Sequence, residues 1–121
     1  MKKDIAEKWI KALKSGDYEQ GKYALRSVDD RFCCLGVLCD LYQKETGEGS
    51  WKTGIKGQNY LYVYEGQNHF LPSGVCDWAG IENENGHYYK SGSGSSLTDQ
   101  NDSGCSFNAI AKIIEEVVDR L

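Results

Sequence analysis

Apolar positions along the chain fall into three helical patterns and one alternating pattern. Between Lys3 and Ser15, Ile5, Trp9 and Leu13 recur at four-residue spacing with Ile10 beside them and lysines opposite, which predicts an amphipathic helix closed by Gly16. The second pattern opens on Phe32-Cys33-Cys34-Leu35-Gly36-Val37-Leu38-Cys39-Asp40-Leu41, ten residues with a single charge and three of the five cysteines. Apolar all round, it predicts a buried helix over Phe32 to Thr46. Glycine in a helix interior costs about 1 kcal/mol relative to alanine, so Gly36 predicts a close contact, of the kind that admits a neighbouring helix. The third helix is capped by Ser106, and Phe107, Ile110, Ile114, Val117, Val118 and Leu121 form one stripe with Glu115, Glu116 and Asp119 outside it. Alternation marks Asn59 to Tyr64 as a strand, with Leu61 and Val63 on one face and Tyr60, Tyr62 and Tyr64 on the other. Those tyrosines read either as a wetted sheet face or as a platform on which a base stacks.

The segments between these elements are polar. Asp17 to Arg31 reads as an ordered loop with a short strand around Tyr23 to Val28, a turn at Asp29-Asp30, and a close backbone approach at Gly21. Ser73 to Gly80 reads as a short helix with Val75 and Trp78 turned inward. Asn85-Gly86 is a type I′ signal, which predicts a hairpin pairing Ile81 to Asn83 with His87 to Lys90, and Ser91 to Ser96 reads as a flexible tip. Its Gly-x-Gly lacks the preceding parallel strand and following helix of a phosphate cradle. Together these elements predict an α+β fold in a single domain, residues 1–121: three main helices packed with a small, mainly antiparallel sheet. Its expected core contains Trp9, Leu35, Leu38, Ile110, Ile114 and Val117.

Composition narrows the function classes. The net charge of -4 argues against DNA or RNA, whose backbones need many Lys and Arg contacts. Residues 1–31 nevertheless hold eight Lys or Arg against six Asp or Glu, and Lys22, Arg26 and Arg31, outside the first helix, become candidates for a small anion. Five cysteines, two of them adjacent, fit free thiols in a reducing cytosol better than a disulfide framework. The start of the chain lacks the apolar core of a signal peptide, and no run approaches the roughly 18 apolar residues of a membrane span, so a soluble cytoplasmic protein is expected.

Catalytic chemistry is sparse. Cys33, Cys34 and Cys39 on one helix cannot converge on zinc, and His69 and His87 fit surface positions, so no metal and no cofactor is expected. Cys33 or Cys34, at a helix start beside Arg31, qualifies as a thiolate nucleophile only if activated there; core packing is the competing reading. Without a P-loop, nucleophile elbow or carboxylate pair, the sequence does not read as an enzyme.

The signature Phe32 to Leu41 occurs with Trp9 to Gly21, Leu25, Leu71-Pro72, Trp78-Ala79-Gly80, Leu97 to Asp102, Ser106-Phe107 and Ile110-Ala111. This set resembles a family of small phage and prophage proteins, similar in turn to anti-CBASS sponges, which sequester host cyclic dinucleotide signals such as cyclic GMP-AMP. The resemblance implies a phage immune-evasion protein in the host cytoplasm that binds a cyclic dinucleotide without cleaving it. It also implies a homo-oligomer, dimer or tetramer, with the ligand at or near a subunit interface. A cyclic dinucleotide asks for cations, aromatic faces and amide edges, and Tyr18, Gln20, Lys22, Tyr23 and Arg26 supply all three, making them the candidate ligand-binding residues. A protein-interaction module that inhibits a host factor, and a cysteine-dependent enzyme, are the alternatives.

Overall fold

The computed structural model describes residues 1–56 and 59–121, with the side chains of 55, 56 and 59–61 left aside. The described residues form five α-helices and seven strands, in the order α1 (Lys3–Lys14), β1 (Glu19–Gln20), β2 (Arg26–Ser27), β3 (Arg31–Phe32), α2 (Cys34–Thr46), β4 (Trp51–Lys56), β5 (Asn59–Tyr64), α3 (Ser73–Ala79), β6 (His87–Lys90), β7 (Ser93–Ser96), α4 (Leu97–Asp102) and α5 (Phe107–Val117), with a final 3-10 turn at Val118–Arg120. The α+β class is as expected. The three main helices anticipated are α1, α2 and α5, α3 is the short helix expected from Ser73, and α4 joins them. One sheet runs in the order β1-β3-β2-β5-β4, antiparallel except for the β1–β3 pair, and β6–β7 forms a separate hairpin. Among the described residues no helix is long and apolar enough to cross a membrane.

The buried helix is the centre of the molecule. Eight residues of α2 are buried, from Cys34 to Asp40 and Tyr42, which follows from apolar side chains on every face of its first two turns. Against it packs α1 with the stripe Ile5, Ala6, Trp9 and Leu13, and α1 in turn packs against α5, whose stripe Phe107, Ile110, Ala111, Ile114 and Val117 joins the same core. Trp9 is fully buried, and its indole N–H donates to the Cys34 carbonyl at 2.9 Å, so the largest core side chain leaves no polar atom unpaired. All six expected core residues are buried. Ser106 caps α5, its hydroxyl accepting from the Ala109 N–H at 3.2 Å, and Ser96 caps α4 in the same way.

Gly36 lies at a close contact, but its neighbour is not a helix. A Cβ there would stand 1.8 Å from the carbonyl oxygen of Leu25, the same oxygen that accepts the Cys33 N–H. The chain leading into β2 therefore crosses the first turn of α2 backbone to backbone.

Two readings of the strands need correction. In β5 the tyrosines do not share one wetted face: Tyr64 is fully buried and its hydroxyl donates to the Glu48 carbonyl at 2.9 Å, while Tyr62 is half-exposed, as is Val63 opposite Lys52. Aromatic rings bury more area than valine, and this hydroxyl found a carbonyl instead of water. The expected companion Leu61 lies outside the described side chains. The second correction concerns the flexible tip, which is strand β7 pairing with β6 around Ser91-Gly92, both with positive φ (53° and 79°), the geometry of a type I′ turn. Main-chain pairing needs no apolar side chains, and Gly94 opposite Tyr89 leaves room for the His87 and Tyr89 rings, 4.9 Å apart, to lie across the hairpin. Asn85-Gly86 instead turns the chain into β6 and, through its carbonyls, receives the N–H groups of Leu97 and Thr98.

Gly36→Ala isolates the close approach, since alanine is otherwise the better helix former. At 1.8 Å from backbone the extra methyl cannot be relieved by a rotamer change, so a loss of about 3 kcal/mol or more is expected by denaturant unfolding. Wild-type stability would show that Leu25 does not press on α2.

Candidate functional site

The five candidate residues separate into three places. Gln20 is structural: its amide N–H groups donate to Asn101 Oδ1 (3.0 Å) and the Cys105 carbonyl (2.7 Å), and its Oε1 accepts the Phe107 N–H (3.0 Å) at the first residue of α5. Asn101, fully buried, returns its own N–H to the Gly21 carbonyl (2.8 Å) and accepts the Cys34 N–H (3.1 Å) at the first residue of α2. An amide with this many protein partners has no edge left for a ligand. Lys22 and Tyr23 sit on the exposed loop that follows, where Tyr23, at φ 67°, donates its backbone N–H to Asp102.

Tyr18 and Arg26 meet around Phe32. The register places Arg26 opposite Phe32 on one side and Tyr62 on the other, so the three side chains stand in a row on one sheet face. The guanidinium carbon lies 4.2 Å from the Tyr62 ring centre, 5.1 Å from Phe32 and 5.4 Å from Trp51 of β4. Its Nε and Nη2 both donate to Oδ1 of Asp30, at 3.0 and 2.7 Å. Tyr18 reaches the other side of Phe32 edge-on, ring centres 5.1 Å apart. Its hydroxyl donates to Asp40 Oδ2 at 2.6 Å and accepts from Lys44, whose ammonium also stands 5.2 Å from the Tyr18 ring centre. The result is a seam running Lys44, Tyr18, Phe32, Arg26, Tyr62, with a cation over an aromatic ring at each end. Tyr62 and Trp51 are half-exposed and Lys44 is exposed.

Asp40 holds one end of the seam in place. The lone charge of the Phe32 to Leu41 run, it accepts from Tyr18, from Lys44 Nζ (3.0 Å) and from the Trp51 indole N–H (3.2 Å). Burial pushes its carboxyl up, but the hydrogen bonds from Tyr18, Lys44 and Trp51 outweigh burial and hold it below the usual carboxylate range. Burial and the bond to Asp40 raise the Tyr18 hydroxyl, while bonds to Tyr18 and Asp40 raise the Lys44 ammonium.

Beside Tyr18 and Lys44 opens a cleft of about 450 Å³ between α1 and α2, lined also by Lys8, Lys11, Asp17 and Glu45. Both helices turn their carboxyl-terminal ends toward it, and lysines are expected there to offset exposed carbonyls. Lys8 is further occupied by Glu45. The stacked guanidinium is therefore the better anion contact.

The thiols do not support nucleophilic chemistry. Burial pushes the Cys33 thiol up to about 12 and those of Cys34 and Cys39 well above their ordinary value, opposite to the activation that the nucleophile alternative requires and in keeping with the core-packing reading. Among the described residues no three His, Cys, Asp or Glu side chains gather as a metal would require. Phe32, Asp40, Lys44, Trp51 and Asp30 were not anticipated at the site, and Tyr62 was read only as one of three tyrosines forming either a wetted face or a stacking platform; for the others the one available signal was Asp40, a charge inside an otherwise apolar run.

Fold and seam define a small α+β domain with a stacked arginine on a half-open sheet face. Residues 1–118 match the model of a family described as a domain of unknown function (DUF8296), and the chain belongs to that family. No curated protein and no solved structure matches it.

Two outcomes check this geometry. Gln20→Ala removes the partner of the Phe107 N–H and one partner of Asn101, so it should cost about 2 to 4 kcal/mol, seen as a lower denaturation midpoint. Because the folded-state carboxyl of Asp40 lies below its unfolded value near about 3.9, its contribution is full above that pH and is lost as pH falls through the folded value. Stability of the wild type should thus fall more steeply below about pH 4 than that of Asp40→Asn; parallel acid slopes would contradict the assignment.

Proposed function

We propose that this chain is a non-catalytic binding protein for a small anionic nucleotide of the cyclic dinucleotide class, held on the seam of Arg26, Tyr62, Trp51 and Tyr18. The observation that carries the reading is the Arg26 guanidinium stacked within 5.4 Å of three aromatic ring centres on a half-open face. A guanidinium meets a phosphate oxygen in a charge-assisted pair, and adjacent rings offer stacking worth about 1 to 3 kcal/mol per base. The second stacked cation, Lys44 on Tyr18, extends the surface toward a second anionic group. Raised, buried thiols fit retention of the ligand rather than attack on it. The likeness of the Phe32 to Leu41 signature to phage sponge proteins supports the same reading, with sequestration of a host defence signal in the host cytoplasm by a homo-oligomer as the biological role.

The experiment is calorimetry against a panel of cyclic dinucleotides, followed by heat denaturation and recovery of the ligand, with light scattering to follow the assembly. Binding with the ligand returned intact is expected. Arg26→Ala should weaken binding by roughly ten- to a hundredfold, the worth of a charge-assisted hydrogen bond, in a protein that remains folded. Wild-type affinity in that variant would remove Arg26 from the site, cleaved ligand would make the protein an enzyme, and no binding across the panel would favour a protein-interaction module.

A further inference from the structure

We propose that Asp30 is a built-in stand-in for the ligand's oxyanion: its carboxylate occupies the edge of the Arg26 guanidinium that an incoming phosphate takes, and binding proceeds by exchanging one for the other. The inference rests on the reading that Arg26 belongs to the binding surface, and it adds what occupies that surface when no ligand does. Three features carry it. The first is contact geometry: Nε and Nη2 converge on the single oxygen Oδ1, as they would on one phosphate oxygen, while among the described residues Nη1 has no protein acceptor. The second is the unequal exposure of the pair. The Arg26 side chain is 20% exposed and Asp30 is 62% exposed, so the acid lies over the guanidinium from the solvent side.

The third feature is what remains when the acid leaves. Tyr62, Phe32 and Trp51 hold the guanidinium independently of Asp30, so the fork keeps its place. Asp30 itself reaches Arg26 from the tip of the β2–β3 turn, at φ 62°, a left-handed conformation that aspartate adopts more readily than most residues but that glycine favours. An ion pair whose acid is held in water contributes little, so a phosphate beside a stacking base can displace it. The ligand class follows: an oxyanion attached close to a planar ring, so that pairing with Arg26 and stacking against Tyr62 occur together. A bare inorganic anion gains only the first.

Asp30→Gly removes the carboxylate and keeps the backbone at ease, and Asp30→Asn keeps the shape without the charge. Titrated with cyclic GMP-AMP, both variants should bind about two- to fivefold more tightly than wild type, the worth of the displaced ion pair. Equal or weaker binding in both folded variants would overturn the proposal and make Asp30 a brace for Arg26, leaving the site reading intact. Inorganic pyrophosphate supplies a second arm, followed through the Arg26 Nε–H resonance: a larger perturbation in Asp30→Gly than in wild type at the same concentration is expected, and equal responses would count against the exchange. If no protein bound any cyclic dinucleotide while pyrophosphate still perturbed Arg26 in Asp30→Gly alone, the nucleotide reading would fall and the stand-in would survive it.

Discussion

The side-chain amide pair Gln20–Asn101 is the interaction on which the arrangement of helices depends. A helix start leaves backbone N–H groups without partners, and neither Cys33 nor any side chain next to α2 caps that helix. Asn101 does so from α4, accepting the Cys34 N–H, while Gln20 accepts the Phe107 N–H at the start of α5. Two helices are thus terminated by one buried contact between segments 81 residues apart. Because Asn101 also donates to the Gly21 carbonyl, the contact fixes where the chain leaves β1 and turns toward β2. Gly21 has no room for a side chain, since a Cβ would stand 2.9 Å from Cβ of Arg31.

From that anchor the position of the seam follows by geometry. With Gly21 held, the chain runs back over α2 at Leu25, and the absent Cβ of Gly36 lets the two backbones meet. The next residue is Arg26. Its place on the sheet face is therefore set by a glycine in a helix it does not belong to, and by an amide pair about which it says nothing in sequence. The Leu25 N–H and carbonyl are both used, by the Asn68 carbonyl and the Cys33 N–H, which leaves that crossing little freedom to slide. A rigid support of this kind is what a stacked guanidinium needs, because ring-to-cation attraction falls away once the cation leaves the ring face.

The long elements were legible because each repeats one signal many times. Helix α5 shows its stripe over three turns, α2 its all-round apolarity, and both buried faces were read without knowing what they meet. The hairpin was missed for the opposite reason: Ser93–Ser96 carries no apolar alternation, and its strand character resides in main-chain pairing and in the left-handed pair Ser91-Gly92. The burial of Tyr64 was missed because alternation reports period and not side, and a ring with a hydroxyl fits either side. At the site, Tyr18 and Arg26 were found from residue type alone. Gln20 has the chemistry of a ligand contact and the address of a cap, a difference set by Asn101 far along the chain. The partners Asp40, Trp51 and Tyr62 come from three other elements, and only the fold brings them together.

The same chain of contacts bears on why an acidic protein would keep an anion contact of this form. A phosphate approaching a surface of net charge -4 gains nothing from long-range attraction, so binding has to come from short-range terms. A lone surface lysine gives a screened, hydrated point charge; a guanidinium already stripped of part of its water by Tyr62, Phe32 and Trp51 has less hydration to lose when it pairs. Asp40 is spent on Tyr18, Lys44 and Trp51, whereas Asp30, paired with Arg26 itself, is the acid that an incoming anion would have to displace. Local pairing thereby separates the character of the seam from that of the molecule: a chain of net charge -4 carries one stacked cation on a half-open sheet face.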